Sequence, residues 1–259
     1  MAALSPVPQH PQRQPAVPSA GFAAAPSAPA HVRVQRALLA ACIILAPLSI
    51  TLYILTWTGN GRQAIAAAAA AGPTGNMLHF IGGVAASFFL PLGYLGMSLL
   101  GMRRAPWLAT LCAALSLIGW IPWAALMGID ALAFDIVQLG VTPQREALWG
   151  RLNGDAVMST FLLIYIVGHL LSAVLICIML GRLRLIPLWA AWAFALTSPL
   201  TIVIFPVHNV VFQDTVSYLI CALFIIGTLP AALAMLQGRG DRGPAPAAPD
   251  ARSAAELIE

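Results

Sequence analysis

Two stretches decide how this chain is read: LLGMRRAPWLATLCAAL, residues 99–115, and MLGRLRLIPLWAAWAFAL, residues 179–196. Each runs from an apolar segment through Leu-Gly, two arginines and a proline, then through a tryptophan into a second apolar segment. Glycine ends a helix readily, and proline suits the first turn of the next one. Each stretch therefore predicts a tight turn between two helices. Its arginines hold the turn on the cytoplasmic side of a membrane, and Trp107 and Trp189 anchor the following helices at the lipid headgroups. The turns join the second helix to the third and the fourth to the fifth, so the two hairpins run as a parallel rather than an inverted repeat.

Composition agrees. Of 259 residues, 60% are hydrophobic and 8% charged, and the mean hydropathy is +0.86. A soluble domain carries about 25% charged residues, so a water-facing surface could not be covered here. All thirteen basic residues are arginines, and the formal net charge is +4. They lie in short clusters at the ends of apolar runs. We read them as topology signals rather than a nucleic-acid surface.

Six apolar runs approach or exceed the roughly 20 residues a helix needs to cross a bilayer: 37–57, 77–101, 107–131, 156–180, 187–207 and 215–236. Continuous apolarity without alternation selects helices over a barrel. Residues 1–34 and 237–259 are rich in Pro and Ala and lack apolar periodicity. Such tails cannot bury enough surface to offset their ordering entropy, and we expect them to be disordered. The first tail lacks the apolar core of a signal peptide. Ten arginines flank one side of the six spans, and Arg62, Arg145 and Arg151 flank the other. The expected architecture is an all-α membrane protein: a bundle of six transmembrane helices over residues 35–236, with short cytoplasmic turns and longer outer loops. It would sit in a bacterial cytoplasmic membrane with both termini cytoplasmic.

The outer loops hold local structure. RQAIAAAAAAGP, from Arg62, favours a helix stopped at Gly72-Pro73. TPQREALWGRLNG, from Thr142, has a Thr cap and a Pro in the first turn. This second segment predicts a short surface helix with Leu148, Trp149 and Leu152 on one side, and both segments could cover the outer mouth of the bundle.

Ionisable groups at membrane depth are costly and mark candidate sites. One candidate is interior: Tyr165, His169 and Ser172, at spacings of four and three on one helix. The other is an outer-mouth cluster of His79, Asp130, His208 and Asp214. A haem held between His79 and His169 is disfavoured, because at 1.5 Å per residue the two lie about 15 Å apart in depth. Zinc at the outer mouth would need three converging ligands and an open position, and no HExxH or HxxxH spacing supplies them. No cofactor is therefore expected, although haem and zinc remain a third reading. Asp214 has a simpler account as the cap of the sixth helix.

Two further readings come first and second. The first is a non-enzymatic membrane protein that assembles with itself or a membrane partner through small residues at Gly82, Ala86, Gly93 and Gly96. The second is a small-molecule or proton-coupled carrier with its polar site around His169. Prolines 47, 91, 122, 199 and 230 kink every span but the fourth, and broken helices line carrier sites. No phosphate loop, GxSxG elbow or dinucleotide turn is present. The four cysteines sit singly in apolar runs and read as small buried hydrophobes.

The stretch IYIVGHLLSAVLICIMLGRLRLIPLWAAWAFALTSPL, from Ile164, resembles a segment of uncharacterised six-helix membrane proteins of actinobacteria and other high-GC bacteria, and the part from Pro91 to Gly119 is similar. The resemblance implies a six-helix membrane fold and no activity for any residue.

Overall fold

A computed structural model describes residues 29–57, 64–204, 206–207 and 209–241. His208, Arg62 and most of both tails lie outside these residues. The elements are α1 (Ala30–Thr56), α2 (Ala64–Gly101), α3 (Pro106–Trp120), α4 (Trp123–Leu139), α5 (Pro143–Asn153), α6 (Ala156–Arg182), α7 (Leu188–Ile204) and α8 (Val210–Leu236), followed by a 3₁₀ turn at Arg239–Asp241. Among the described residues, all regular structure is helical. Five segments are long and apolar enough to cross a membrane, counting Pro106–Leu139 as one; α7 is a shorter apolar helix of 17 residues.

Several expected boundaries move. The first helix begins at Ala30, inside the stretch expected to be tail: Pro29 stands at its N-cap, and no glycine or proline interrupts the chain from there to Pro47. The third expected span, 107–131, is two helices: Pro122 cannot donate to the ladder, the chain turns at Ile121–Pro122, and α4 then runs on to Leu139. Asp214 does not cap the last helix. Asn209 does, accepting from Phe212 N at 3.0 Å, and α8 therefore starts a turn earlier. The alanine run forms a helix that breaks at Gly72, where φ is +65°. Thr142 caps α5 as expected. Of the three apolar residues expected on one side of α5, Trp149 is buried and Leu152 half-buried, while Leu148 faces outward.

The helices pack in chain order into a closed ring: α1 on α2, α2 on α3 and α4, α3 on α6, α6 on α7, α7 on α8, and α8 back on α1. Small residues set the closest approaches. A Cβ at Gly82 would stand 2.5 Å from Tyr53 N, and one at Gly93 would stand 3.0 Å from the Cys42 carbonyl oxygen. Gly82, Gly93 and Gly96 of α2 are thus taken up against α1 of the same chain. A separate apolar cluster, including Trp57, Ala64, Ala68, Ala133 and Trp149, closes one end of the ring. There the alanine helix and α5 pack over α4, with Trp149 Nε1 donating to the Ile129 carbonyl at 3.2 Å.

The opposite end gathers the arginines, and there the two similar turns meet. Arg104 of the first donates to the Leu183 carbonyl of the second at 3.3 Å. Arg239 reaches the Leu185 carbonyl at 3.4 Å, and Asp241 pairs with Arg36 while its carbonyl accepts from Arg103 at 3.0 Å. Residues 237–241, expected to be disordered, are therefore tied to the bundle.

The second turn does not end on Gly181. The helix continues to Arg182, and Arg184 takes the left-handed conformation at φ +52°. Leu185 N bonds the Leu180 carbonyl at 3.0 Å, which completes the helix-ending motif that usually places glycine at this position. Because an L-residue there costs about 1 kcal/mol, Arg184→Gly is expected to raise the thermal unfolding temperature in detergent by a few degrees. An unchanged or lower value would count against that cost.

Candidate intramembrane binding chamber

The site is built from α1 outward. The last turn of α1 carries Tyr53 and Thr56, Trp57 follows directly after it, and the backbone contact at Gly82 brings α2 close enough for His79 to enter between them. The His79 ring stacks on Trp57 at 3.8 Å between centroids and lies against Tyr53 at 4.1 Å. Asn76, one turn earlier on α2, fixes this sandwich. It accepts from Trp57 Nε1 at 2.8 Å and donates to the Ala68 carbonyl at 2.8 Å.

Across from them, α4 presents Asp130. Its Oδ2 accepts from the Tyr53 hydroxyl at 2.8 Å and lies 3.4 Å from His79 Nε2. The other ring nitrogen, Nδ1, lies 3.0 Å from the Tyr53 carbonyl oxygen and 3.4 Å from Thr56 Oγ1. That hydroxyl already directs its proton to helix carbonyls at 2.9 and 3.0 Å. Within the Tyr53–Asp130–His79 group, His79 is 1% exposed and Asp130 7%, while Tyr53 is half-buried.

The second half of the site hangs on one crossing. Gly119 of α3 meets Gly168 of α6 with almost no separation: a Cβ on Gly168 would stand 2.5 Å from Gly119 Cα. With the backbones this close, Trp120 packs on Tyr165 and His169 at 5.4 and 5.0 Å. Pro122 then turns the chain, so Trp123 reaches both Tyr165 at 5.4 Å and Tyr53 at 5.0 Å. His169 stacks on Tyr165 at 4.2 Å, and its Nδ1 lies 2.5 Å from the Tyr165 carbonyl oxygen. A carbonyl only accepts, so Nδ1 carries a proton and Nε2 is left for other partners. The two histidines are thus linked through the rings of Tyr53, Trp123 and Tyr165 without touching.

These pieces line a partly open cavity of about 420 Å³ among the helices of the ring. Aromatic residues form much of its wall: Tyr53, Tyr94, Trp120, Trp123, Tyr165 and Phe224. Polar groups are few and come from different helices, namely Asp130, His169 and the hydroxyls of Thr197, Ser198, Thr201 and Ser217, with Asn153 of α5 at the covered end. This is the composition of a small-molecule pocket: apolar and aromatic walls with a handful of placed polar groups.

The two candidate sets read from sequence are therefore partly one site. Asp130, Tyr165 and His169 line the same cavity, and His79 stands behind Asp130. Ser172 does not line it; buried in α6, it donates to the His169 backbone carbonyl at 2.9 Å. Asp214 lies in the first turns of α8 and does not line it either. His208 lies outside the described residues. Among the described residues, no three His, Cys, Asp or Glu side chains gather as a metal ligand set. The cysteines are unpaired, and Cys221 lines the cavity.

Sequence reasoning missed Tyr53, Asn76, Trp120, Trp123 and the α7 hydroxyls. Two signals were present: an amide one helical turn before His79, and tryptophans on both sides of Pro122. Comparison with known protein families, with curated proteins and with solved structures finds no match to this chain.

Proposed function

We propose that this chain is a non-enzymatic carrier: a six-span protein of a bacterial cytoplasmic membrane that binds a small, largely apolar molecule in the chamber between its helices. The arginine-rich end faces the cytoplasm, since positively charged flanks are retained there. The α5 end faces outward, and α7 crosses as the sixth span beside its longer neighbours. The observation that carries the reading is the cavity of about 420 Å³ joining Asp130 to His169, with lining residues from every helix of the ring. Pro47, Pro91, Pro199 and Pro230 lie inside the helices around it and Pro122 divides α3 from α4, which suits a bundle that must open to release its occupant. Assembly with a partner is less favoured, because Gly82 and Gly93 are already occupied by α1.

A chamber-filling substitution tests the reading. Thr201 lines the cavity and bonds only the Thr197 carbonyl, at 2.8 Å. A thermal-shift screen of the purified chain against amphiphilic solutes should find ligands that raise its unfolding temperature. Thr201→Phe should abolish the shift and Thr201→Val should retain it. Equal shifts in both variants would place binding elsewhere and defeat the proposal.

A further inference from the structure

Resting on the chamber reading, we infer that the occupant is a monovalent lipophilic organic cation, taken up in exchange for one proton held between His79 and Asp130.

The proton follows from counting donors. Tyr53 O is a carbonyl and can only accept, and the Thr56 hydroxyl has spent its proton on carbonyls, so His79 Nδ1 bears hydrogen. If His79 is neutral, its Nε2 then presents a lone pair to Asp130 Oδ2, 3.4 Å away. In an empty chamber, with no cation nearby to offset the carboxylate, two facing lone pairs are unfavourable, so a second proton lies between them, either on Nε2 or on the carboxyl. Both forms have the same net charge of zero. The Trp57 and Tyr53 ring faces on either side of His79 stabilise the imidazolium form. The neutral pair is the resting state of an otherwise uncharged wall.

The cation follows from the rest of that wall. Asp130 is the one acidic residue among the described residues that line the chamber. Tyr53 and His79 both converge on its Oδ2, leaving the second oxygen for an occupant. The titratable groups that share the chamber with it are Tyr53, Tyr94, Tyr165, His169 and Cys221, none of them permanently charged. On α5, the chamber residue is the neutral Asn153, and Arg145 is engaged by the Leu139 and Gly140 carbonyls at 2.5 Å. Aromatic faces around one carboxylate, without a resident cation, match a positively charged organic group whose charge is spread over an apolar body. Entry breaks one N–H or O–H bond of the pair, and the proton leaves to water. The pair passes from zero to −1, and the cation restores neutrality.

The test uses the purified full chain in detergent and weak buffer, with tetraphenylphosphonium as probe. Binding is read by tryptophan fluorescence and proton release by pH electrode. Saturable binding with about one proton released per cation is expected, and the apparent Kd should rise about tenfold for each pH unit of acidification across the exchange range. Asp130→Asn should lose both signals. Neutral triphenylphosphine oxide should bind at least tenfold more weakly and release no proton. If the neutral probe binds as well as the cation, or if the cation binds without proton release, the exchange inference is overturned and the chamber reading stands. If neither probe binds, both fall. Because proton release is measured on the unsubstituted chain, the outcome does not depend on whether Asp130→Asn folds.

Discussion

A leucine at Gly168 is expected to separate α3 from α6 and to abolish the chamber. The atoms that its Cβ would meet are Gly119 Cα at 2.5 Å, Gly119 N at 2.9 Å and the Leu115 carbonyl oxygen at 3.3 Å, all of them backbone. A flexible side chain could swing away, but a helix axis must translate. Overpacking of a core costs about 1–3 kcal/mol when side chains can adjust, so Gly168→Leu should reach at least the top of that range. At about 2–4 °C per kcal/mol for a chain of this size, the unfolding temperature in detergent should fall by about 10 °C. Tyr165 and His169 flank Gly168, so the variant should also lose ligand-induced thermal shifts. Gly128→Ala is the control. A Cβ there meets nothing within 4 Å, and the higher helix propensity of alanine should leave stability unchanged or slightly raised. Equal effects of the two substitutions would mean that the α3–α6 crossing does not hold the bundle.

Asp130→Leu is the second large expectation. It removes the common acceptor of Tyr53 and His79 and leaves their polar atoms buried. Breaking one partner of a buried pair costs about 3–5 kcal/mol in soluble proteins, whereas intramembrane hydrogen bonds average below 1 kcal/mol. Two groups converge here on one oxygen in a protein-lined space, so we expect about 2–3 kcal/mol. Adding His79→Phe keeps a flat ring between Trp57 and Tyr53 but removes the orphaned nitrogens. The double variant should therefore be more stable than the sum of the singles predicts, with a coupling of at least about 1 kcal/mol in a thermal-unfolding cycle. Strict additivity would show that His79 and Asp130 do not share a proton.

The legible and illegible parts of this molecule divide along physical lines. Continuous runs of apolar residues without alternation become helices in a membrane, because each helix satisfies its own backbone. The apolar helices, the arginine turns and the α5 cap at Thr142 were therefore readable from local sequence. Boundaries were less readable where two residues compete for one role. Asn209 and Asp214 are both good caps, and the outer one won because helix continues wherever nothing stops it. Arg184 took a conformation usually reserved for glycine because the turn geometry, not the residue, required it.

The candidate site was half legible for a different reason. His79, Asp130, Tyr165 and His169 stood out singly, since an ionisable or polar group among apolar neighbours is conspicuous. Their grouping did not follow from the chain, and depth along each helix separated His79 from His169 into two sites. The apolar helices and the arginine-bearing end were determined by sequence alone, through hydropathy and charge acting residue by residue. Which residues face the same cavity was decided by the tertiary structure. Rotation of one helix against another depends on contacts such as Gly119 on Gly168 and Gly82 on Tyr53, and these pair residues 49 and 29 positions apart. No local pattern encodes such a pairing, because its energy exists only once both backbones have met.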